Sequence, residues 1–415
     1  MRTLHFTSVR GRVKHFLLVD GFSQGVVMAT VRKRKLPSGL IRWQASYVDG
    51  GGKRRAKLFE RKGDAEAWLT ETRHDLVRGL HTPTSASPTV NDAGALWLKR
   101  CREKNLEAGT IKGYEEHLYL HIAPFIGAKK LAELPAPAIS AFADRLREEG
   151  RSSEMIRRAV RSLGSIFREA QRRGLSSFDP TAGLDLDLPD RDDPRPVIPA
   201  KAELQAIIST ASGRLRPLIL VAIFCGLRAS ELRGLRWQDV DFEAREINVN
   251  QRADVFHKIG RLKSKAAYRS VPMPPIVLNG LREWKLVCPK GDLGLVFPTG
   301  AGGVESHSNL MSRGFEPLQV AAGVTVVEPV MEGDKPALGE DGRPKVASVA
   351  KYGMHALRHA CASLWIEQGM NPKRIQKLMG HSTIQMTFDR YGHMFKDSDA
   401  DQRAAEDIQA RLLGS

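Results

Sequence analysis

The chain has 415 residues, 42% of them hydrophobic and 27% charged, and its 64 Lys and Arg against 47 Asp and Glu give a formal net charge of +17. That length allows two or three domains with separate cores, and the positive excess points to a polyanionic partner. Cys101, Cys225, Cys288 and Cys361 are widely spaced and form no CxxC pair. This implies no disulfide framework and suits a reducing cytoplasm, and no apolar run reaches the length of a membrane span.

Residues 1–27 lack clear periodicity and stand as an N-terminal extension to which the sequence assigns no role; Met28 is a second candidate start. Residues 28–84 predict a small α+β module. Strands are expected over 29–34, 40–48 and 53–59, with Trp43, Ala45 and Tyr47 alternating against polar neighbours, followed by a helix over 62–78 carrying Ala65, Trp68, Leu69 and Leu76 on one side. Residues 1–84 hold 17 Lys or Arg against 7 Asp or Glu, a net +10 (17 less 7) and more than half of the whole excess. Arg32, Lys33, Arg34, Arg42, Lys53, Arg54, Arg55 and Lys57 are the candidate contacts to DNA, since a basic sheet of this size fits a groove. A basic hairpin with a structural role is the competing reading.

A Pro/Ser/Thr linker over 83–88 leads into an all-α segment, 89–180, with helices expected over 90–101, 110–121, 136–149 and 153–173; Gly150 and Gly174 stop two of them. Its many arginines suit a clamp on a DNA backbone. Residues 181–196 form a polar, proline-rich linker, and a third domain runs over 197–398. Within it 324–350, with three Gly and three Pro, is expected to be a loose insertion. The tail, 399–415, predicts a short helix over 400–413 with a weak stripe of Ala404, Ile408, Ala410 and Leu412.

The third domain carries the chemistry. Arg228 follows an apolar helix broken at Gly226, and Glu231, three residues on, is placed to orient it. His355 and Arg358 share one side of a helix start. His359 makes an i,i+4 pair with His355, but Ala356 stands where an HExxH metal site needs glutamate, so His359 is expected in supporting or core hydrogen bonds and no metal is expected. Asn371 caps a helix over 372–379 that Gly380 ends, leaving His381 on the turn. Ser382 and Gln385 suggest a capping box for the next helix, near whose end lies Tyr391. Two guanidiniums, two imidazoles and a phenol suit reaction at a phosphate, because cations stabilise both a phenolate nucleophile and the charged transition state.

In order and spacing, Gly226-Leu227-Arg228-Ala229-Ser230-Glu231-Leu232, then His355-Ala356-Leu357-Arg358-His359, then Leu378-Met379-Gly380-His381 through Tyr391, the chain resembles the tyrosine recombinases, phage-type integrases in particular, over about 89–398. The resemblance implies a multidomain architecture: an α+β arm-type DNA-binding domain (28–84), a helical core-binding domain (89–180) and a mainly α catalytic domain with a small antiparallel sheet (197–398). It implies Arg228, Lys263, His355, Arg358, His381 and Tyr391 as the catalytic set, with Glu231 supporting and Lys265 the alternative to Lys263. Tyr391 would form a 3′-phosphotyrosyl link, His355 would take the phenolic proton and Lys263 would protonate the leaving 5′-oxygen, with no cofactor or ATP. Implied partners are double-stranded DNA at core and arm sites, three further copies in a tetramer, a DNA-bending protein and an excision factor, in the bacterial cytoplasm at the nucleoid. Ala356 and Ala360 depart from the usual residues of the motif without touching a reacting group. The competing readings are a Xer-type or transposon recombinase, a type IB topoisomerase-like relaxing enzyme, and a DNA-binding protein that no longer cuts.

Overall fold

The computed structural model describes residues 29–49, 52–77, 87–189, 196–333, 335–338, 340–395 and 398–413. The extension over 1–27, most of the linker over 83–88 and the centre of the 181–196 linker lie outside the described residues. The chain divides into two compact units at residues 189 and 190.

In the first unit, strands Thr30–Lys35, Ile41–Val48 and Arg54–Phe59 form an antiparallel sheet in sequence order, with Thr30 opposite Ser46 and Trp43 opposite Phe59. The Lys62–Val77 helix covers one side, burying Ala65 and Leu69 against Ala45 and Tyr47, while Trp68 meets Tyr47 edge-on at 5.7 Å. So few buried side chains can hold only a small module. Its exposed strand ends carry the basic residues.

The helical part begins at a capping box in which Thr89 and Asp92 satisfy one another's backbone N–H groups ahead of the Val90–Glu103 helix. Ser152 caps the Ser153–Arg172 helix, whose stripe of Ile156, Ala159, Leu163, Ile166, Phe167 and Ala170 fills the core. The expected helix over 110–121 is instead an α-helix, Ala108–Glu116, that widens into a π-helical turn, His117–Ile122, before a short Ala123–Ile126 turn. Pro124 gives the reason: its ring displaces the carbonyl a regular turn would place there. Glu169, fully buried, is neutralised by Arg100, Arg172 and Arg173.

The second unit is built around the apolar Leu215–Cys225 helix, buried almost throughout and packed on the Met354–Glu367 helix. Gly226 ends it with φ 62°, a conformation that favours glycine, and a Cβ there would press on Cys361 Sγ at 3.0 Å. Short strands Val240–Asp241, Glu246–Val249 and Arg269–Pro272 make an antiparallel sheet, and Arg252–Ala253 pairs with Ile259–Gly260 in a hairpin. The segment 324–350 is not a loose insertion. Thr325–Pro329 pairs with Val346–Ala350, and Met331–Glu332 with Lys335–Pro336, in a continuous antiparallel arm. Its β-branched residues pair as strands, while Gly333 and Gly342 sit at turns. The Ser398–Leu413 helix leaves Ile408 and Leu412 exposed. No helix among the described residues is long and apolar enough to cross a membrane.

Candidate active site

Two left-handed glycine turns organise the site. Gly226 (φ 62°) closes the Leu215–Cys225 helix, and Gly380 (φ 62°) closes the Pro372–Met379 helix, which Asn371 caps as its sequence predicts. Arg228 sits immediately before the Ala229–Gly234 helix and donates from Nη2 to Gly380 O at 3.1 Å. Arg358, 2% exposed, donates from Nη1 to Gly226 O and from Nη2 to Met379 O. Each guanidinium thus spans to a turn on the other side. Burial, together with Arg228, lowers the Arg358 pKa to about 9, which leaves it a cation near neutral pH.

Glu231 sits beneath both arginines. Its Oε2 accepts from the Arg228 backbone N–H at 2.9 Å, and its Oε1 accepts from Arg228 Nη1 at 2.7 Å. The other face of the carboxylate is held by Arg269, through Nη2 at 2.8 Å and Nη1 at 3.2 Å. Burial alone would raise its pKa, but Arg269, Arg358 and Arg228 outweigh that and hold it at about 2. Arg269 also donates to Leu378 O at 2.6 Å and Ala267 O at 2.9 Å, joining the strand after the lysine segment to the turn before His381. The sequence reading did not single out Arg269. Its signal was the strand alternation: Arg269 and Val271 share the inward face opposite Val249 and Ile247.

Lys263 is exposed and lines an open cleft of about 460 Å³ together with Arg228, Glu231, Arg252, Asp254 and His307. Lys265, also exposed, begins a short 3-10 turn, Lys265–Ala267, and does not line that cleft.

His355 opens the Met354–Glu367 helix at the surface, yet desolvation of the ring and the charges of Arg358, Arg390 and Arg228 bring its pKa down to about 4. His381 is buried, shares a 2.9 Å hydrogen bond between Nδ1 and Thr387 Oγ1, and is held to about 3 by burial, Arg358 and Arg228. Both rings are therefore neutral near pH 7. Tyr391 ends the Gln385–Tyr391 helix and packs among Ile366, Ile375 and Met379. Burial pushes its phenol up to about 12. Its hydrogen-bond partner is His359, Nδ1 to Oη at 2.6 Å, not His355. The capping box expected at Ser382 is absent: Ser382 Oγ donates to Met386 Sδ, and Thr383 Oγ1 accepts from Met386 N at 3.4 Å. The helix starts two residues later than a Ser382 cap requires, with Ile384 in the N-cap position.

The basic residues of the sheet are only partly committed to local pairs. Arg42 pairs with Glu60, Arg55 with Asp49, Arg34 bonds Gln44 and Lys57 stands over Phe59 and Trp68. Arg32, Lys33, Lys53 and Arg54 lie exposed on the same module.

An α+β unit that gathers arginines, histidines of lowered pKa and a desolvated tyrosine holds the groups that suit reaction at a phosphate. Residues 200–398 match the phage integrase family and residues 32–78 match the phage integrase N-terminal domain. The chain is 26% identical over 379 residues to a XerC-like tyrosine recombinase of Caldanaerobacter subterraneus subsp. tengcongensis, covering 83% of this chain and 90% of that one. It is 27% identical over 269 residues to the prophage integrase IntR of Escherichia coli, covering 65% and 64%. Among solved structures, the Tn1549 transposon integrase superposes with a TM-score of 0.59 at 24% identity, over 78% of this chain and all of that one. Lambda integrase does so at 0.54 and 18%, over 85% and 92%, a likeness of fold. The chain belongs to the phage integrase family: it is a tyrosine recombinase, an enzyme of site-specific recombination that moves a mobile element.

Proposed function

We propose that the protein cuts and rejoins double-stranded DNA at the ends of its element, with Tyr391 attacking a phosphodiester to form a 3′-phosphotyrosyl link and release a 5′-hydroxyl. A partner strand's 5′-hydroxyl then reverses the step, so the bond energy is conserved and no ATP is consumed. The observation that carries this reading is the crossed anchoring of Arg228 and Arg358 on the Gly380 and Gly226 turns. It fixes two cations side by side before substrate arrives, and preorganised charge of this kind is worth about 10²–10³ in rate per donor. His381 adds a neutral donor, His355 an acid–base group at the mouth, Glu231 the support beneath Arg228, and Lys263, from the cleft, the proton for the leaving oxygen. Lys265 remains the alternative donor.

The division of labour follows the domain reading: arm-site binding by 28–84 through Arg32, Lys33, Arg34, Arg42, Lys53, Arg54, Arg55 and Lys57, core-site binding by 89–180, a linker over 181–196, catalysis by 197–398, and docking of the 399–415 tail onto a neighbouring protomer. The Tn1549 integrase was solved with a circular intermediate DNA and lambda integrase as a tetramer on a Holliday junction. Those assemblies support double-stranded DNA as the substrate and a tetramer here. The family resemblance adds action in the cytoplasm at the nucleoid, a bending protein and an excision factor. The N-terminal integrase module favours recombination over relaxation of DNA, because a site-blind relaxing enzyme has no use for a second DNA reader. The test is recombination between two DNAs carrying the sequences that flank the gene. Wild type should exchange strands and Tyr391→Phe should bind but not exchange; exchange by the phenylalanine variant would refute the proposal.

A further inference from the structure

We propose that His359 positions the Tyr391 nucleophile and is the group that accepts its proton during cleavage. This rests on Tyr391 being the nucleophile. The observation is geometric: His359 Nδ1 and Tyr391 Oη are 2.6 Å apart, both residues are buried, and the rings lie 5.8 Å apart between centroids at 60°. For Nδ1 to accept from the phenol the imidazole must be neutral with its hydrogen on Nε2. Burial, then the neighbouring His355 ring and the charges of Arg390 and Arg358, keep it so, holding its pKa to about 3. His355, the expected acceptor, packs edge-on against His359 with centroids 4.6 Å apart and shares no hydrogen bond with the phenol among the described residues. One helix therefore presents Arg358 to the two glycine turns and, one residue later, His359 to the nucleophile.

The step balances without a further reactant. As Tyr391 Oη bonds phosphorus its O–H bond breaks, and the proton passes to His359 Nδ1. The bond from phosphorus to the 5′-oxygen breaks, and that oxygen takes a proton from Lys263. On rejoining, the imidazolium returns its proton to the departing phenolate. In the resting protein the proton stays on oxygen, because the phenol lies far above the imidazole in pKa. The gap closes as the bond to phosphorus forms, because the charge leaving Oη is then shared with the phosphoryl oxygens and the phenol becomes far more acidic.

Single-turnover cleavage by the full-length protein tests this, on DNA half-sites from the gene's own flanks, with salt-dependent DNA binding as the control for folding. His359→Ala should slow cleavage by about 10²–10⁴, the range of a lost general base. His359→Asn, whose Oδ1 can stand near the Nδ1 position, should recover part of that. Replacing Tyr391 by a difluorotyrosine, a more acidic phenol, should also restore much of the His359→Ala loss. A 5′-phosphorothiolate leaving group should rescue Lys263→Ala and not His359→Ala. Cleavage by His359→Ala within about threefold of wild type would overturn the proposal. So would rescue of His359→Ala by the sulfur substrate with no response to the fluorinated phenol. An adduct formed by Tyr391→Phe would instead refute the nucleophile assignment beneath it.

Discussion

Glu231→Gln removes the one negative charge from among three guanidiniums, and its cost can be worked from the site. The carboxylate is 2% exposed and its pKa falls from 4.5 to about 2, despite burial, because of Arg269, Arg358 and Arg228. At ~1.36 kcal/mol per pH unit that interval contributes ~3 kcal/mol. The folded pKa lies below the unfolded one, so the contribution is fully present above pH 4.5 and is lost as the pH falls toward 2. Arg269, its side chain 1% exposed, would then face a neutral amide, and losing one partner of a buried pair typically costs ~3–5 kcal/mol. Hydrogen exchange of the full chain, followed on peptides over 215–236 and 267–273, reports this unit apart from residues before 190. At pH 7 the glutamine variant should exchange there about 100-fold faster, and the difference should shrink by about half or more near pH 3. Equal protection at pH 7, or a loss of the same size at both pH values, would refute the reasoning.

Arg358→Lys should keep DNA binding but lose about 10²–10³ in cleavage, because an ammonium cannot span from Gly226 O to Met379 O and still face a phosphate; single-turnover rates decide it. Gly380→Ala forces a side chain into φ 62° and places its Cβ 3.0 Å from Arg269 Nη1, so protection over 267–273 should fall by ~2 kcal/mol. His355, His359 and His381, with pKa values of about 4, 3 and 3, should show no titration between pH 5 and 8 in the DNA-free protein by histidine NMR. Since the unfolded chain protonates these rings first, they should also cost stability as pH drops below about 6.5. A midpoint between 6 and 7 for any of the three would contradict the desolvation and arginine charges that lower them.

Much of this architecture was legible because local chemistry and tertiary structure agree. The Asn371 cap, the Gly226 and Gly380 stops, the alternating Trp43, Ala45 and Tyr47 and the apolar 218–225 run each specify their element within a few residues. The errors arose where a local signal had a competitor. Glycine and proline in 324–350 suggested a loose insertion, although Thr325–Pro329 pairs with Val346–Ala350. Pro124 converts a regular helical repeat into a π turn, and the helix expected from Ser382 starts only at Gln385. In the site, spacing brought out the residues of the motif but not their partners. That Arg269 would lie under Glu231, and His359 against Tyr391, depends on contacts across 38 and 32 residues. No period in the sequence records such pairings.

The most direct measurement is the identity of the residue that becomes attached to DNA. Protein is incubated with DNA from the gene's flanks, stopped with detergent and digested, and the nucleotide-bearing peptide is mapped by mass spectrometry. The account predicts a single modified residue, Tyr391, joined to a 3′-phosphate, and no adduct with Tyr391→Phe. Attachment through any other residue, or to a 5′-phosphate, would contradict it.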